Sequence, residues 1–584
     1  MTSSVVSADS ILAIDVGTIN TRASLFDVVG SRYRFVASGT APTTIAPPFS
    51  DVREGISRAI NLLQETTGRL LIGSDGNILI PSHPDGTGID AVTATLSAGP
   101  EIKVVAVGLL EDVSMESARN LAITTYAKVS ETISLNDRRK QDERIDAILR
   151  ARPDLVIVAG GIDGGATRSV NQLLEAVGLA CFLLPRDQRP QVLFAGNNNI
   201  HEEIKETIAP LTDLHLAPNI RPGIHSEQLA PAQISMSKIF KNVRAQQIFG
   251  VSDLDQWANG RLLPTSTAFG RVVRFLSHIY DPNKGVLGVD IGASATTIAA
   301  ALKGKLGIRV FPQLGLGSNL ENLSHYISTD HITFWLSEEI PKSSVRDYLF
   351  NKAAHPASIP ATVEEMAIEQ ALGRQMMRSA VSQMIPSLPF TLSGPEGDLL
   401  PWVEPILASG SILSNAPTPG QSMLMILDGL QPTGITTIVL DKNKLLASLG
   451  AAAEINPLMA VQVLESHAFQ NLGTIIAPVG SARKGTPVLR IRTTLEDTSE
   501  SQLEVKFGSI EVIPLPTGQS AQIQLRPLHR FDVGMGGPGK GGRVRVVGGS
   551  LGIVIDARGR PLQLPSDHDL RREQLKRWLW TLGN

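Results

Sequence analysis

Residues 11–27, ILAIDVGTINTRASLFD, decide how the rest of this chain is read. An apolar run stops on Asp15, Gly17 and Thr18 make a tight turn, and a return strand carries Thr21, Ala23 and Leu25 on one face by its two-residue period. Such a hairpin has a direct chemical use. Amides and hydroxyls of Gly17 and Thr18 at its tip suit phosphate oxygens, and a carboxylate at Asp15 suits a bound metal ion. A D-x-G-T turn also closes hairpins that hold no ligand, so one copy leaves both readings open.

The pattern returns at residues 288–301, GVDIGASATTIAAA, with a strand ending on Asp290, then Gly292, then a Ser/Thr-rich return strand. Two such hairpins facing each other would form a clamp. Residues 405–417, PILASGSILSNAP, add an apolar strand that enters a Gly410-Ser411 turn, where backbone can approach a flat ring closely. In this order the three pieces resemble the two phosphate motifs and the adenosine motif of the actin, Hsp70 and hexokinase superfamily of ATPases.

At 584 residues the chain is too long for one core and predicts three or more domains. Lys+Arg of 53 against Asp+Glu of 56 leaves a net charge of -3, so no global basic field argues for nucleic acid, although a local basic face stays open. The single cysteine, Cys181, excludes an internal disulfide and a Cys-based metal cluster, which points to the cytoplasm. The first ten residues lack a basic and apolar leader pattern, and every long apolar run is broken by Asp, Gly or Pro, so neither a signal peptide nor a membrane span is expected.

Between the hairpins the patterning changes twice. Residues 33–39 read as a third strand and residues 51–68 as a helix, with Asp51 and Glu54 as a capping box, Val52, Ile56, Ile60 and Leu63 on one face, and Gly68 as the stop. From 102 to about 221, buried strands alternate with helices: IKVVAVGLL, a helix over 115–129, a charged helix over 138–150, DLVIVAG, a further helix, LACFLL and QVLFAG. That is the pattern of a parallel α/β sheet. The loop AGGIDGG, residues 159–165, follows a strand and precedes a helix; its glycines fit a tight turn better than a ligand loop, because it has neither a full G-x-G-x-x-G nor a Walker lysine.

The D-x-G-T hairpin, the insertion with PDLVIVAGGIDGG (153–165) and FAGN (194–197), the second hairpin and LASGSILSNAP together resemble the glutamate mutase MutL family, which is unrelated to mismatch repair. The resemblance covers roughly residues 10–460. It implies a two-lobed α/β ATPase that serves as a chaperone or reactivator of adenosylcobalamin-dependent carbon-skeleton mutases. It also implies ATP and Mg2+ as ligands. Asp15, Gly17, Thr18 and Thr21 match the first phosphate motif, Asp290, Gly292, Ala293 and Ser294 occupy the second, and Gly410 with Ser411 the adenosine turn, with Asp15 and Asp290 toward the metal. One departure stands out. Ala293 replaces the second glycine and Thr297 stands near the expected aspartate, so hydrolysis could be slow or lost while binding survives. A small-molecule kinase of the same superfamily and a nucleotide-binding scaffold without turnover are the alternatives.

The resulting division is a first ATPase lobe over 1–100, an inserted Rossmann-like domain over 101–240, a second lobe over 241–460 and a β-rich barrel or sandwich with a terminal helix over 461–584. Within the second lobe, residues 364–384 read as a core helix. The terminal helix, with Leu575, Trp578 and Leu582, is expected on the β-rich unit. Two motifs are rejected. GMGGPGKG, residues 534–541, nearly spells a Walker loop, but Gly541 stands where a Ser or Thr should ligate magnesium, and a strand pattern follows instead of a helix. DLHLAP, residues 213–218, approaches a cobalamin-ligating loop, but it ends on Pro218 and its flanks suggest no strand, so His215 reads as a loop histidine.

Overall fold

The computed structural model describes residues 9–496 and 499–583; residues 1–8, over which no leader pattern is read, and residues 497, 498 and 584 lie outside the described residues. Strand β1 (Ile11–Val16) pairs antiparallel with β2 (Asn20–Val29), which pairs antiparallel with β3 (Arg32–Pro42), and β4 (Ala91–Leu96) runs parallel to β1 on its other side. The helix Val52–Thr67 covers this sheet. Asp51 caps it by accepting from the Arg53 amide at 2.9 Å, and Gly68 ends it at φ 69°. The expected capping box is incomplete, because Glu54 pairs with Arg58 at 2.8 Å. The helix lies so close to β3 that a Cβ on Gly39 would stand 2.0 Å from the Ala59 carbonyl oxygen.

The insertion is a five-stranded parallel sheet of β5 (Ile102–Gly108), β6 (Ala127–Ser134), β7 (Leu155–Ala159), β8 (Gln191–Phe194) and β9 (Leu214–Leu216), in the order β6-β5-β7-β8-β9. Three expectations change here. The helix expected over 115–129 is a wide turn, Glu111–Met115, and a helix that stops at Ala122; the β-branched run Ile123, Thr124, Thr125 disfavours helix and leads into β6. LACFLL is the end of the helix Arg168–Leu183, not a strand, since a short apolar run has the same look in either state. DLHLAP contains the edge strand β9, where His215 Nε2 lies 2.9 Å from Gln191 Oε1.

Strand β10 (Leu263–Pro264) returns to pair with β4, giving the order β3-β2-β1-β4-β10. The helix Thr265–Ile279 then leads to β11 (Gly285–Ile291), β12 (Thr296–Leu302), β13 (Lys305–Phe311), β14 (Val403–Gly410) and β15 (Gly434–Leu440). These repeat both the order and the directions of the first sheet: two antiparallel pairs on one side of the first strand, two parallel pairs on the other. The repeated hairpin read in the sequence is the start of each copy.

Beyond β15, β16 (Gln470–Ala477) continues the same sheet without a break. The strands that follow are β17 (Pro487–Leu495), β18 (Glu500–Lys506), β19 (Ile510–Ile513), β20 (Ser520–Pro527), β21 (Gly542–Val547) and β22 (Ile553–Asp556). Of these, β22 and β19 extend the second-lobe sheet to eight strands, and the other four form a sheet ordered β18-β17-β20-β21. Ile476 and Ile555 of the first pack with Ile491 and Ile523 of the second, so the β-rich region is two sheets face to face, one of them shared with the lobe.

The terminal helix His568–Thr581 packs elsewhere than expected. Leu575, Trp578 and Leu582 enter the second-lobe core, and Gly420 lies against the Leu582 carbonyl, where a Cβ would stand 2.1 Å away. A buried ionic network anchors this segment. Asp428 accepts from Arg374 at 2.8 Å and Arg558 at 2.7 Å, Asp556 accepts from Arg558 and Arg560, and the Arg558 guanidinium lies 4.5 Å from the Trp578 ring centroid.

Candidate functional site

The two hairpin tips face each other across a cleft between the duplicated sheets. In the first, the Gly17 amide closes the turn on the Asn20 carbonyl at 3.0 Å, and Thr18 lines the cleft with its hydroxyl buried and without a hydrogen-bond partner. Asp15 sits at the end of β1, its Oδ1 accepting from Thr95 at 2.7 Å and Thr265 at 3.3 Å. In the second, the Gly292 amide closes on the Ala295 carbonyl at 2.9 Å, and Asp290, Gly292, Ala293 and Ser294 all line the cleft. Gly315 and Gly317 support that tip from behind, since a Cβ on either would crowd the Ala293 carbonyl oxygen, at 2.5 and 2.7 Å.

Ser409, Gly410 and Ser411 complete the lining from the end of β14. Gly410 is required by the sheet itself: at φ 103°, a Cβ would stand 2.3 Å from the Ile291 carbonyl oxygen on β11. Of the residues matched to the motifs, Thr21 is set apart from the cleft lining. It is buried on the opposite face of β2, bonded to the Thr43 hydroxyl at 2.9 Å, which in turn donates to the Gly17 carbonyl at 2.7 Å. Alternation puts Arg22 toward the cleft instead, directly across from Asp15. Thr297 is likewise buried, opposite Asp290 in the ladder and outside the lining.

The structure brings further residues into the cleft that the motifs do not contain. Asp441 follows β15 and is buried, accepting from the Leu445 and Leu446 amides at 2.8 and 2.9 Å and from Ser409 at 3.2 Å. Lys444, in a left-handed turn at φ 57°, donates to the Ser411 hydroxyl at 3.0 Å. Tyr126 and Thr265 close the floor. The cleft thus gathers three carboxylates, Asp15, Asp290 and Asp441, with two cations, Arg22 and Lys444.

These charges strain one another. Burial, followed by the charges of Asp15 and Asp441, pushes the Asp290 carboxyl up to about 7, with Lys444 and Arg22 only partly offsetting them. Burial, then the like charge of Arg22, brings Lys444 down to about 8. Burial also raises Asp441, against the pull of its two backbone amides, and holds the Tyr126 hydroxyl far above its ordinary value. No side chain or amide among the described residues donates a hydrogen bond to Asp290. Two hard oxygen donors, Asp15 and Asp290, suit Mg2+, which takes one or two carboxylates and completes its shell with water and phosphate.

Other sequence candidates lie outside this cleft. The loop 159–165 turns β7 into the following helix, with Gly161 and Gly164 at φ 73° and 72°, and Asn197 Oδ1 accepting from the Gly164 amide at 3.3 Å. Loop 534–541 joins β20 to β21 with no helix after it, so its amides lack the helix N-terminus of a phosphate loop. Among the described residues no helix is long and apolar enough to cross a membrane.

A duplicated five-strand order, each copy opened by a hairpin whose tip faces the other, defines the class: a two-lobed α/β fold of the actin, Hsp70 and hexokinase type of ATPase. A family model described as MutL protein matches residues 11–468. The chain belongs to that family, the MutL associated with glutamate mutase and not the mismatch-repair protein. Protein MutL from Clostridium tetanomorphum is 23% identical over 493 residues, 79% of this chain and 99% of the relative. Solved structures similar to it include a nucleotide-free acetone carboxylase, 12% identical with a TM-score of 0.30 over 88% of this chain and 82% of that one. A xylulose kinase from Bifidobacterium adolescentis is 12% identical, with a TM-score of 0.27 over 79% of this chain and 94% of that one.

Proposed function

We propose that this protein binds Mg2+-ATP between its lobes and acts as a cytoplasmic chaperone or reactivating factor for an adenosylcobalamin-dependent carbon-skeleton mutase. The observation that carries the nucleotide reading is the convergence of both hairpin tips and the Gly410-Ser411 turn on one cleft, with the Thr18 hydroxyl buried and unpartnered in it. In this reading Gly17, Thr18, Gly292, Ala293 and Ser294 hold the phosphates, and Arg22 and Lys444 supply the positive charge they need. Gly410 and Ser411 lie beside the adenine, and Asp15 and Asp290 hold the metal. Bound Mg2+ supplies charge neutralisation for the phosphates. Thr21 acts through the hairpin: its bond to Thr43 fixes the Gly17 turn.

The cleft holds about 140 Å³, below the roughly 300 Å³ of an ordinary small-molecule pocket, and in this reading ATP enters with the lobes apart. Closing on the nucleotide is then the conformational step, and its driving force is the higher affinity of the closed form. In this reading the lobes bind the nucleotide, and the insertion and the β18-β17-β20-β21 sheet face the partner. A scaffold that binds ATP without turnover is the second reading, favoured by Ala293 at the phosphate-facing tip.

The test is steady-state ATP hydrolysis by the purified chain, with and without purified subunits of an adenosylcobalamin-dependent carbon-skeleton mutase. Stimulation by the mutase supports the chaperone. Magnesium-dependent binding with no turnover under either condition supports the scaffold, and absence of any mutase complex removes the partner assignment.

A further inference from the structure

The helix Thr265–Ile279 presents Thr265 and Phe269 to the cleft and, on its opposite face, Arg271 and Arg274 to a separate trough. One part of this trough, about 580 Å³, is also lined by Lys238 and Lys241 of the helix Ala230–Gln247 and by Arg261. A second part, about 540 Å³, adds Lys305 and Arg309 of β13. Arg274, Leu306 and Ile308 line both parts, so the two adjoin.

The charge there is one-sided. Seven cations line the trough against two carboxylates, Glu227 and Glu454, in a chain whose net charge is -3. Both carboxylates are engaged, Glu454 with Arg271 at 2.7 Å and Glu227 with the Ser117 hydroxyl at 2.7 Å. Lys241 pairs with Asp255 at 2.9 Å and Arg309 donates to the Gln383 carbonyl at 2.8 Å. Lys238, Arg261, Arg274 and Lys305 have no hydrogen-bond or ion-pair partner for their side chains among the described residues. Between them the floor is apolar, formed by Met236, Leu262, Leu263, Leu306 and Ile308.

We propose that this trough docks an acidic, extended peptide segment of a protein partner, with its carboxylates on Lys238, Arg261, Arg274 and Lys305 and its intervening apolar side chains on the floor. Charge complementarity selects an acidic occupant. Extent selects a chain over a compact ligand: Lys238 and Arg261 stand in one part only and Lys305 in the other only, so a ligand confined to either part cannot meet all four cations. None of these residues lines the nucleotide cleft, so the proposal stands apart from the ATP reading.

The test uses the full chain and a fluorescein-labelled peptide of about ten residues, alternating glutamate and leucine, read by fluorescence anisotropy at low salt. A peptide with lysine in place of glutamate is the control. The acidic peptide should bind and the basic one should not. Lys238→Glu with Arg274→Glu should weaken binding by about tenfold or more, with an unchanged melting temperature because both side chains are exposed and unpartnered. If that variant melts early, Arg261→Ala with Lys305→Ala provides the same comparison without charge reversal. Absence of acidic-peptide binding, equal binding of the basic peptide, or undiminished affinity in the folded variants overturns the proposal. Inorganic pyrophosphate binding as tightly as the peptide also overturns it, and makes the trough a small-anion site.

Discussion

Asp428→Ala should be among the most destabilising single changes in the second lobe. The side chain is fully buried and accepts from Arg374 Nε at 2.8 Å and from an Arg558 terminal nitrogen at 2.7 Å. Arg558 keeps Asp556 after the change, but Arg374, itself 6% exposed, keeps no carboxylate. Stripping one partner from a buried pair costs about 3–5 kcal/mol, because the guanidinium left behind stays charged, unpaired and out of reach of water. At a urea slope of roughly 3 kcal/mol/M, the unfolding midpoint falls by about 1–1.7 M. Tryptophan fluorescence is a suitable probe, since Trp578 lies under the Arg558 guanidinium. Adding Arg374→Met to the variant should restore part of the loss, with a coupling energy of about 1.5 kcal/mol or more. A loss under about 1 kcal/mol, or simple additivity in the double variant, would refute the view that this network locks the C-terminal segment to the lobe.

Three further outcomes are expected. Arg558 and Arg560 hold the Asp556 carboxyl well below its ordinary range, so its share of stability is complete above the unfolded value of about 4 and is lost only as pH falls below that; a urea midpoint that declines between pH 7 and 5 in parallel with loss of this network would contradict it. Ala293→Gly should raise the ATP hydrolysis rate with little change in affinity, because the tip amides approach the terminal phosphate more closely. A rate left unchanged beside a stability loss of about 0.5–1 kcal/mol would mean this tip does not limit chemistry. Lys540→Ala should leave ATP affinity intact, since loop 534–541 runs into β21; a large loss in calorimetry would identify it as a phosphate loop after all.

Both hairpins were legible because a strand-ending aspartate and a glycine turn leave a local pattern, and the Asp51–Gly68 helix was legible for the same local reason. What joined them was not local. Strand β10 is two residues long and pairs with β4 across the whole insertion, so the duplicated sheet order emerges only from the fold. Asp441 carries a local signal of the same kind: TTIVLD ends an apolar strand on aspartate, as β1 and β11 end near Asp15 and Asp290. Arg22 is hidden in the sequence because matching Thr21 to the phosphate motif points the wrong face of β2 at the cleft, whereas Arg22 stands across from Asp15. Lys444 left no pattern, because its approach to Ser411 depends on a left-handed turn after β15. The terminal helix was set on the wrong neighbour because its apolar face fits any apolar surface, and the Gly420 contact that selects the second lobe is distant in sequence.

The most direct measurement is isothermal calorimetry of ATP binding, with and without magnesium, for the wild type, Asp15→Ala and Asp290→Ala. Wild type should bind only with magnesium present, and each variant should lose about 2–3 kcal/mol of binding free energy, as expected for a charged contact removed from a dry site. Affinities in both variants equal to that of the wild type would contradict a clamp built from these two hairpins.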